Sequence, residues 1–219
     1  DYHPSMDAYW QAKRALFDWP GLQAAVVNID DPRGAALHSA LAGRGLDLWS
    51  ISMQQDARLQ AQGVAWGDRG LRLDVVEGAE KHTLQTTMIG DYNVSNLLGV
   101  IAAQRALGVP LAKAVAACAQ LLPVPGRMER LVAPGQPLVA VDYAHTPDAL
   151  EKLLAEGRRM LPEGGRLHVL FGCGGERDRA KRPLMAAAVA GGADVIWHTS
   201  DNPRAEDPEA ISAPISSTA

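Results

Sequence analysis

Two neighbouring stretches of this chain, LHVLFGCGGERDRAKRPLM (167–185) and ADVIWHTSDNPRAEDP (193–208), predict its fold. In the first, an apolar run (167–171) ends in a glycine-rich turn, and a helix is expected over about 182–191. In the second, the apolar run 195–199 opens into the sequence DNPR. The order strand, loop, helix, strand, loop is typical of a parallel α/β unit and places both loops at the carboxyl ends of strands. Open α/β sheets bind their ligands at that edge.

Both loops carry side chains that suit a ligand with positive and negative charges. Arg177 follows the first strand, and Asp201, Asn202, Pro203 and Arg204 follow the second. Guanidinium groups bind carboxylates through paired hydrogen bonds, and a carboxylate such as that of Asp201 binds an ammonium group. An amino acid has both charges, so the pattern indicates an amino-acid site. Taken alone, each loop is equally typical of a solvated basic loop or of a turn built on Asn-Pro.

Composition limits the class of protein. The chain has 219 residues, enough for one large domain or two small ones, and its net charge of −4 gives no reason to expect nucleic acid or an anionic membrane as a partner. The two cysteines, Cys118 and Cys173, do not make a disulfide framework and are typical of a reducing compartment. No apolar run approaches the ~18 residues of a membrane span. We therefore expect a cytoplasmic protein, and we expect it to be a monomer.

Hydrophobic periodicity predicts α/β structure throughout the chain. Before the Pro-rich hinge at 123–126, the pattern predicts strands over 24–29, 46–51, 71–76 and 81–88, and helices over 92–107 and 111–122. After the hinge it predicts a strand over 138–142, a helix over 147–160 and a strand over 167–171. We place a domain boundary near Gly126, and the pattern is lost over 213–219.

The GCGGERDRAKRPLM and SDNPRAEDP segments resemble the C-terminal domain of the Mur ligases. Within that family they resemble the type that adds the third residue to the UDP-N-acetylmuramoyl peptide of the bacterial cell wall, the MurE type. Further segments resemble the same family in the same order: DYHPSMDAYWQAK (1–13), NIDD (28–31), GDYNVSNLLGVIAAQRALG (90–108), PGRMERL (125–131) and VDYAHTPDALEKLL (141–154).

The resemblance implies an α/β protein in two parts. Residues 1–126 would be the remainder of a P-loop-type central ATPase domain, and residues 127–219 would be part of a Rossmann-like C-terminal domain. No GxxxxGK[ST] phosphate loop occurs in the 219 residues. The chain also starts at Asp1 without an initiator methionine. We therefore expect a fragment, truncated at both ends and inactive alone.

The implied activity is that of an ATP-dependent amide ligase. It would add meso-diaminopimelate to UDP-MurNAc-L-Ala-D-Glu through an acyl phosphate, with ATP and Mg²⁺ as cofactors. The sequence DNPR resembles the version found in enzymes that use diaminopimelate. Arg204 is the discriminating residue there, because the second carboxylate of diaminopimelate needs a cation that lysine as a substrate does not need.

The first helix contains the most specific chemical feature. Ser5 is the expected N-cap, and Asp7 lies favourably in the first turn. Lys13 falls on the expected apolar stripe, whose members are Met6, Tyr9, Trp10, Leu16 and Phe17. Such a lysine either extends its ammonium group to water or is partly buried in an uncharged form. An uncharged amine can add carbon dioxide, and the matching lysine of the Mur ligases does so and binds magnesium. The resemblance therefore implies that Lys13 is a carbamylated residue that bridges to magnesium.

Five further residues are implied to bind nucleotide. Asn93 and Asn96 lie three apart near the start of a helix and share a face. In the family this segment contacts the adenine side of ATP, the arginine matching Arg127 contacts ATP, and the aspartate matching Asp142 holds the ribose. His145 follows in the same loop and is either nucleotide-adjacent or a residue of the helix entry. From the residues alone, Asn93 is a local cap and Asn96 a surface residue.

Four other polar residues receive no role in binding. Asn28, Asp30 and Asp31 end a strand, and Asp-Asp-Pro is typical of turn chemistry. His3 resembles a metal ligand, but the metal-binding histidine of the family lies upstream of it.

Three alternatives remain open. A lysine-adding Mur ligase or a folylpolyglutamate synthase would share the carbamylated lysine, although the ERDRAKRPLM and DNPR segments favour the diaminopimelate type. A nicotinamide-binding domain built on 172–175 would require G-x-G-x-x-G, and position 177 is arginine. A non-catalytic nucleotide-binding module would be compatible with the missing phosphate loop.

Overall fold

A computed structural model describes residues 3–67 and 70–216 of the chain. The chain divides into two compact units, Asp1–Pro123 and Val124–Ala219, and each is described by itself. Both combine helices with β-sheet, which confirms the predicted α/β class.

The first unit contains a mixed sheet with helices packed on it. Its elements are α1 (Met6–Arg14) with a 3₁₀ turn (Ala15–Asp18), β1 (Ala24–Asn28), α2 (Pro32–Leu41), β2 (Asp47–Ser52), β3 (Leu59–Gly67), β4 (Gly70–Glu77), β5 (Glu80–Thr86), α3 (Asp91–Ala106) and α4 (Leu111–Cys118). The strand order is β1-β2-β3-β4-β5, in which β1, β2 and β3 are parallel and β3, β4 and β5 are antiparallel. The sequence pattern did not predict α2 or β3.

The core of this unit lies between the sheet and helices α3 and α4. Trp49 on β2, Leu73 on β4 and Leu98 on α3 are all at most 1% exposed. Arg58 lies over the Trp49 ring, with its guanidinium carbon 3.5 Å from the ring centroid. Burial of apolar surface contributes on the order of 25 cal/mol per Å², and it is the main source of stability for such a layer.

The predicted turn chemistry at the end of β1 is confirmed. The Asp31 side chain caps α2 by accepting hydrogen bonds from the backbone N–H groups of Arg33 (2.8 Å) and Gly34 (3.1 Å). Pro32 occupies the first turn of that helix, where its missing N–H costs nothing. Asp30 instead accepts a hydrogen bond from the Ser52 hydroxyl and so links the ends of β1 and β2.

Helix α1 follows the prediction at its start and departs from it afterwards. Ser5 is its N-cap and accepts a hydrogen bond of 3.1 Å from the Ala8 N–H, as predicted. The expected apolar stripe is met only in part, because Trp10 and Phe17 are half-buried in a hydrophobic cluster whereas Met6 and Tyr9 are exposed. The α-helix ends at Arg14, and a 3₁₀ turn changes the spacing after it. Leu16 is consequently 62% exposed, and α1 has no buried residue.

Helix α4 is shorter than predicted. It ends at Cys118, and the N–H groups of Gln120 and Leu121 bond to carbonyls three residues back rather than four. Pro123 disfavours helical backbone only at Leu122, so the helix ends earlier than this rule requires.

The second unit contains two small sheets and three helices in its described part. Its elements are β6 (Glu129–Leu131), β7 (Val139–Val141), α5 (Pro147–Met160), β8 (His168–Phe171), α6 (Lys181–Gly192), β9 (Val195–His198) and α7 (Pro208–Ser216). Strands β8 and β9 are parallel, as the opening stretches predict. Helix α7 covers part of 213–219, where the pattern predicts no element, and residues 217–219 of that prediction lie outside the described residues.

One carboxylate fixes the amino ends of β8 and β9. Asp194 accepts two hydrogen bonds from the Arg158 guanidinium, at 2.5 and 2.8 Å, and one of 2.6 Å from the Leu167 N–H. The Arg158 hydrogen bond, followed by that of the Leu167 amide, lowers the pKa of Asp194 from 3.8 to about 2. Since the folded pKa is the lower one, this carboxylate stabilises the fold above pH 3.8, and that contribution is lost as the pH falls toward 2.

We expect Asp194→Asn to flatten the acid dependence of stability in this unit. The free energy of unfolding should fall less steeply for the variant than for the wild type between pH 3.8 and about 2. A ¹³C NMR titration of the carboxyl carbons measures the pKa directly. Asp148→Asn is the control, because Asp148 forms only an exposed ion pair with Lys152. If the free energy of unfolding fell equally steeply for wild type and Asp194→Asn over this pH range, the stabilising role of the Asp194 carboxylate would be contradicted.

Candidate amino-acid-binding site

The loops that follow β8 and β9 lie against each other. Phe171 pairs with His198 at the ends of the strands, and the Thr199 N–H donates to the Phe171 carbonyl oxygen at 3.0 Å. Further along, the Gly175 N–H donates to the Asn202 carbonyl oxygen at 2.9 Å. The two loops that the sequence predicts at one sheet edge are therefore joined by backbone hydrogen bonds.

Glycine allows this close approach. A Cβ added to Gly175 would lie 1.9 Å from the Pro203 carbonyl oxygen, and one added to Gly172 would lie 2.5 Å from the Thr199 carbonyl oxygen. Both contacts are with backbone, which cannot move aside as a flexible side chain can. At Gly174 an added Cβ would meet nothing closer than 3.5 Å. Only some of the glycines of this turn are therefore sterically required.

Each loop holds one non-glycine residue in the left-handed region. Glu176 has a φ of +52° and Arg204 a φ of +50°. This conformation is uncommon for residues with a side chain and persists where surrounding contacts hold it. Arg204 is held from both sides: its N–H donates to the Asn202 side-chain oxygen at 3.1 Å, and its Nη1 donates to the Gly175 carbonyl oxygen.

Gly174 of the first loop lies close to two charged groups of the second loop. The position of its absent Cβ lies 3.5 Å from Arg204 Nη1 and 3.6 Å from Asp201 Oδ2. The Asp201 side chain has no hydrogen-bond or ion-pair partner among the described residues, and neither does that of Arg177. A cation and an anion are thus exposed on adjoining loops without being paired to protein groups. Such a pair can bind an ammonium group and a carboxylate.

Glu206 is a residue of this site that the sequence reasoning missed. Its carboxylate accepts hydrogen bonds from the Glu176 N–H at 2.5 Å and from Arg182 at 2.9 Å, and it pairs with Arg179 at 3.1 Å. The Arg182 guanidinium and then the Glu176 amide hold the pKa of Glu206 below its ordinary value. Glu206 lies within the segment DNPRAEDP, but nothing in the neighbouring sequence indicates which residues its carboxylate contacts.

Cys173 lies in the glycine turn but is unsuited to covalent chemistry. It is 6% exposed, its sulfur lies 3.9 Å from that of Met185, and burial raises the pKa of its thiol. Reactive cysteines have a lowered pKa and solvent access. Cys118 on α4 is also free and buried.

In the first unit, the two predicted nucleotide-binding asparagines share a face of α3. The Asn93 side-chain amide donates to the Ile89 carbonyl oxygen at 2.7 Å, and Asn96 approaches the Asn93 oxygen at 3.5 Å. The first bond fits the reading of Asn93 as a local cap. Asn96 is exposed, so its amide remains available to a ligand.

In the second unit, Arg127, Asp142 and His145 surround Tyr143, which is 69% exposed. The Arg127 guanidinium lies 5.7 Å from the Tyr143 ring centroid, and the His145 ring lies 6.5 Å from it at nearly a right angle. Asp142 accepts backbone hydrogen bonds from Met128 at 2.9 Å and Ala144 at 2.8 Å. It therefore fixes the turn that carries Arg127.

Lys13 is exposed in the last turn of α1, which agrees with the alternative in which it extends its ammonium group to water. Its Nζ lies 5.1 Å from the Tyr9 ring centroid. Over 3–67 and 70–216, no three histidine, cysteine, aspartate or glutamate side chains gather closely enough to hold a metal ion. In the same ranges, no helix has the length and apolar character needed to cross a membrane.

Two family descriptions match nearly the whole chain. "Mur ligase middle domain" matches residues 1–104, and "Mur ligase, glutamate ligase domain" matches residues 126–219. The chain belongs to the Mur ligase family.

Individual Mur ligases match over part of their length. A protein from Acidovorax sp. (strain JS42), named UDP-N-acetylmuramoyl-L-alanyl-D-glutamate--2,6-diaminopimelate ligase, is 66% identical over 212 residues, which make up 96% of this chain and 42% of that protein. A protein of the same name from Ectopseudomonas mendocina (strain ymp) is 45% identical, with 98% of this chain and 44% of that protein covered. The chain thus spans less than half the length of these relatives.

Solved structures agree with the family. One of a UDP-N-acetylmuramoyl-L-alanyl-D-glutamate--2,6-diaminopimelate ligase has a TM-score of 0.67 at 35% identity and covers 98% of this chain and 44% of that one. Folylpolyglutamate synthase from Thermotoga maritima has a TM-score of 0.68 at 19% identity, covering 86% and 44%. At that identity the second match shows a shared fold alone.

We expect the two neighbouring glycines of this Mur ligase to respond differently to alanine. Gly175→Ala should destabilise the second unit by about 1–3 kcal/mol, because its Cβ must displace the Pro203 carbonyl, whereas Gly174→Ala should change stability by less than about 0.5 kcal/mol. Denaturant unfolding measures the stabilities, and amide chemical shifts of 202–204 report the loop. Equal losses of stability in the two variants would show that the approach of Gly175 to the Pro203 carbonyl does not restrict this position to glycine.

Proposed function

We propose that the whole protein to which this chain corresponds is an ATP-dependent amide ligase that adds meso-diaminopimelate to UDP-MurNAc-L-Ala-D-Glu. The observation that carries the proposal is the close approach of the two loops at the carboxyl ends of β8 and β9, of which one bears Arg177 and the other bears Asp201 and Arg204. The name of the relative that is 66% identical supports the same substrate pair.

The residues of the second unit suit the amine donor of this reaction. ATP, when bound, supplies the phosphoryl group that activates the dipeptide carboxylate as an acyl phosphate. The Arg177 and Arg204 guanidiniums would bind carboxylates of the amino acid, and Asp201 would hold an ammonium group. The free amine then attacks the acyl carbon: a C–N bond forms, the bond from carbon to the phosphate oxygen breaks, and phosphate and a proton leave. Binding the donor in a fixed orientation is the contribution of these loops.

Selection of diaminopimelate over lysine follows from charge. Diaminopimelate carries a second carboxylate at the end of its side chain, where lysine carries only the ammonium group. Arg204 would meet that carboxylate, because its Nη1 is anchored to the Gly175 carbonyl and its other donors remain available. Asn202 and Pro203 would shape the turn that presents Arg204.

For the first unit we propose that Asn93 and Asn96 are nucleotide-binding residues. Separately, for the second unit, we propose the same role for Arg127, Asp142 and His145. The exposed amide of Asn96 and the exposed guanidinium of Arg127 suit this role, as does the open face of the Tyr143 ring.

Magnesium does not fit the described residues alone, since they gather no set of three metal-binding side chains. We therefore assign it no step. We propose only that Lys13, as a carbamate, supplies one ligand in the whole protein. The two free, buried cysteines support our further proposal that the protein works in the cytoplasm.

The substrate proposal is tested with a chimera in which this chain replaces the matching segment of the Acidovorax relative. We expect calorimetry to detect meso-diaminopimelate binding in the presence of an ATP analogue, with lysine and glutamate bound at least about tenfold more weakly. Arg204→Ala should remove that preference, because the second carboxylate loses its cation.

Arg166→Ala is the matched control, since Arg166 is exposed just before β8, at the opposite end of that strand. Equal affinity for lysine and diaminopimelate, or no effect of Arg204→Ala, would contradict the proposed substrate and leave the family assignment unchanged.

The Lys13 proposal has its own test. With ¹³C-labelled bicarbonate, we expect a carbamate carbon signal in the chimera that is strengthened by Mg²⁺ and absent in Lys13→Arg. Lys113→Arg is the control, because Lys113 is exposed on a different helix. A signal that persists in Lys13→Arg would place the modification elsewhere.

A further inference from the structure

One peptide group in the first loop is held on both edges by side chains of the second loop. The carbonyl oxygen of Gly175 accepts from Arg204 Nη1, and the N–H of Glu176, which belongs to the same peptide plane, donates to Glu206 Oε1 at 2.5 Å. Arg204 and Glu206 themselves belong to a single turn, in which the Glu206 N–H donates to the Pro203 carbonyl oxygen at 3.0 Å.

This peptide group needs to be held. Glu176 has left-handed backbone, with a φ of +52°, which a residue with a side chain adopts at a cost. Rotation of the peptide plane would relieve the backbone strain at Glu176, and it would turn the Gly175 carbonyl away from Arg204. The acceptor on Glu206 opposes that rotation, because it fixes the N–H on the opposite edge.

Glu206 is itself held in place by buried charge. Arg182 is 3% exposed, and Glu206 is its one carboxylate partner among the described residues, with an N···O distance of 2.9 Å. The Arg182 Nε is buried without a hydrogen-bond partner in the same set. A buried cation with one counterion holds that counterion strongly, because separating the two leaves an uncompensated charge.

We propose that Glu206 is a positioning residue for the amino-acid substrate. By holding the Gly175–Glu176 peptide, it keeps the Gly175 carbonyl directed at Arg204 and so fixes the guanidinium that meets the substrate carboxylate. The proposal rests on the proposed function for the identity of the substrate, and it adds a residue that makes no contact with that substrate.

The test compares two double variants that differ only in the acceptor. Arg182→Met accompanies both, so that neither leaves a buried cation unpaired. Glu206→Gln keeps an oxygen for the Glu176 N–H, whereas Glu206→Leu removes it. In the chimera, we expect the KM for meso-diaminopimelate to rise only slightly with glutamine, which keeps the acceptor but loses the Arg182 contact that holds it. With leucine the KM should rise about tenfold above that of the glutamine variant, because the Glu176 N–H loses its acceptor. The KM for ATP should be unchanged in both.

Asp194→Asn is the matched control. Asp194 also accepts from one arginine and one backbone N–H, but it lies at the opposite ends of β8 and β9. We expect it to lower stability without changing the KM for the amino acid. Equal KM values for meso-diaminopimelate in the glutamine and leucine variants would overturn the proposal. A leucine variant in which the KM for ATP rises as much as the KM for meso-diaminopimelate would overturn it as well.

Amide hydrogen exchange in the chain itself tests the contact independently of turnover. The Glu176 N–H should be protected relative to the Arg177 N–H in wild type, and that protection should fall in Glu206→Leu with Arg182→Met. An unprotected Glu176 amide in the wild type would overturn the proposal even if a variant failed to fold. If the wild-type chimera ligates lysine instead, the proposed substrate fails and the same KM comparison is made with lysine.

Discussion

At Gly175 the two loops of the second unit come so close that even a methyl group would not fit between them, and the candidate site depends on this approach. The Gly175 N–H bonds to the Asn202 carbonyl, while its own carbonyl receives Arg204. Because a parallel pair of strands delivers both loops to the same edge, the backbone contact needs no long-range adjustment. Arg204 is thus fixed to backbone rather than to the Asp201 carboxylate.

That arrangement explains why opposite charges remain open to a ligand. If the Asp201 carboxylate were paired with Arg204, the two would form a surface ion pair that stabilises the fold only slightly. Instead Arg204 is directed by the Gly175 carbonyl and Asp201 is left unpaired in the described structure. A carboxylate of a zwitterion then meets an Arg204 guanidinium that is already oriented, so less ordering entropy is lost at that contact on binding.

How much of this could be predicted depends on the range of the interactions. Helix α5 (Pro147–Met160) was predicted with its exact bounds, because its Thr146 cap, first-turn proline and apolar spacing are all local. Strand β3 was missed because its pairing with β4 shifts register between Gln62 and Ala65, which breaks the period-two pattern. Glu206 was missed for a different reason: its role depends on Glu176 and Arg182, more than twenty residues away in sequence. The loops and their charges were predictable, but the contacts that orient them were not.

The surroundings of Lys13 bear on its proposed modification. Within the first unit, the Tyr9 ring centroid lies 5.1 Å from its Nζ, and Lys13 belongs to the last turn of α1. An aromatic face and a helix C-terminus both favour a cation and disfavour an anionic carbamate. Stabilisation of the carbamate must then come from a cation outside this helix, which is the role that we propose for magnesium in the whole protein. By linkage, magnesium that favours the carbamate is itself bound more tightly once the carbamate has formed. Modification and metal binding at Lys13 should therefore rise together.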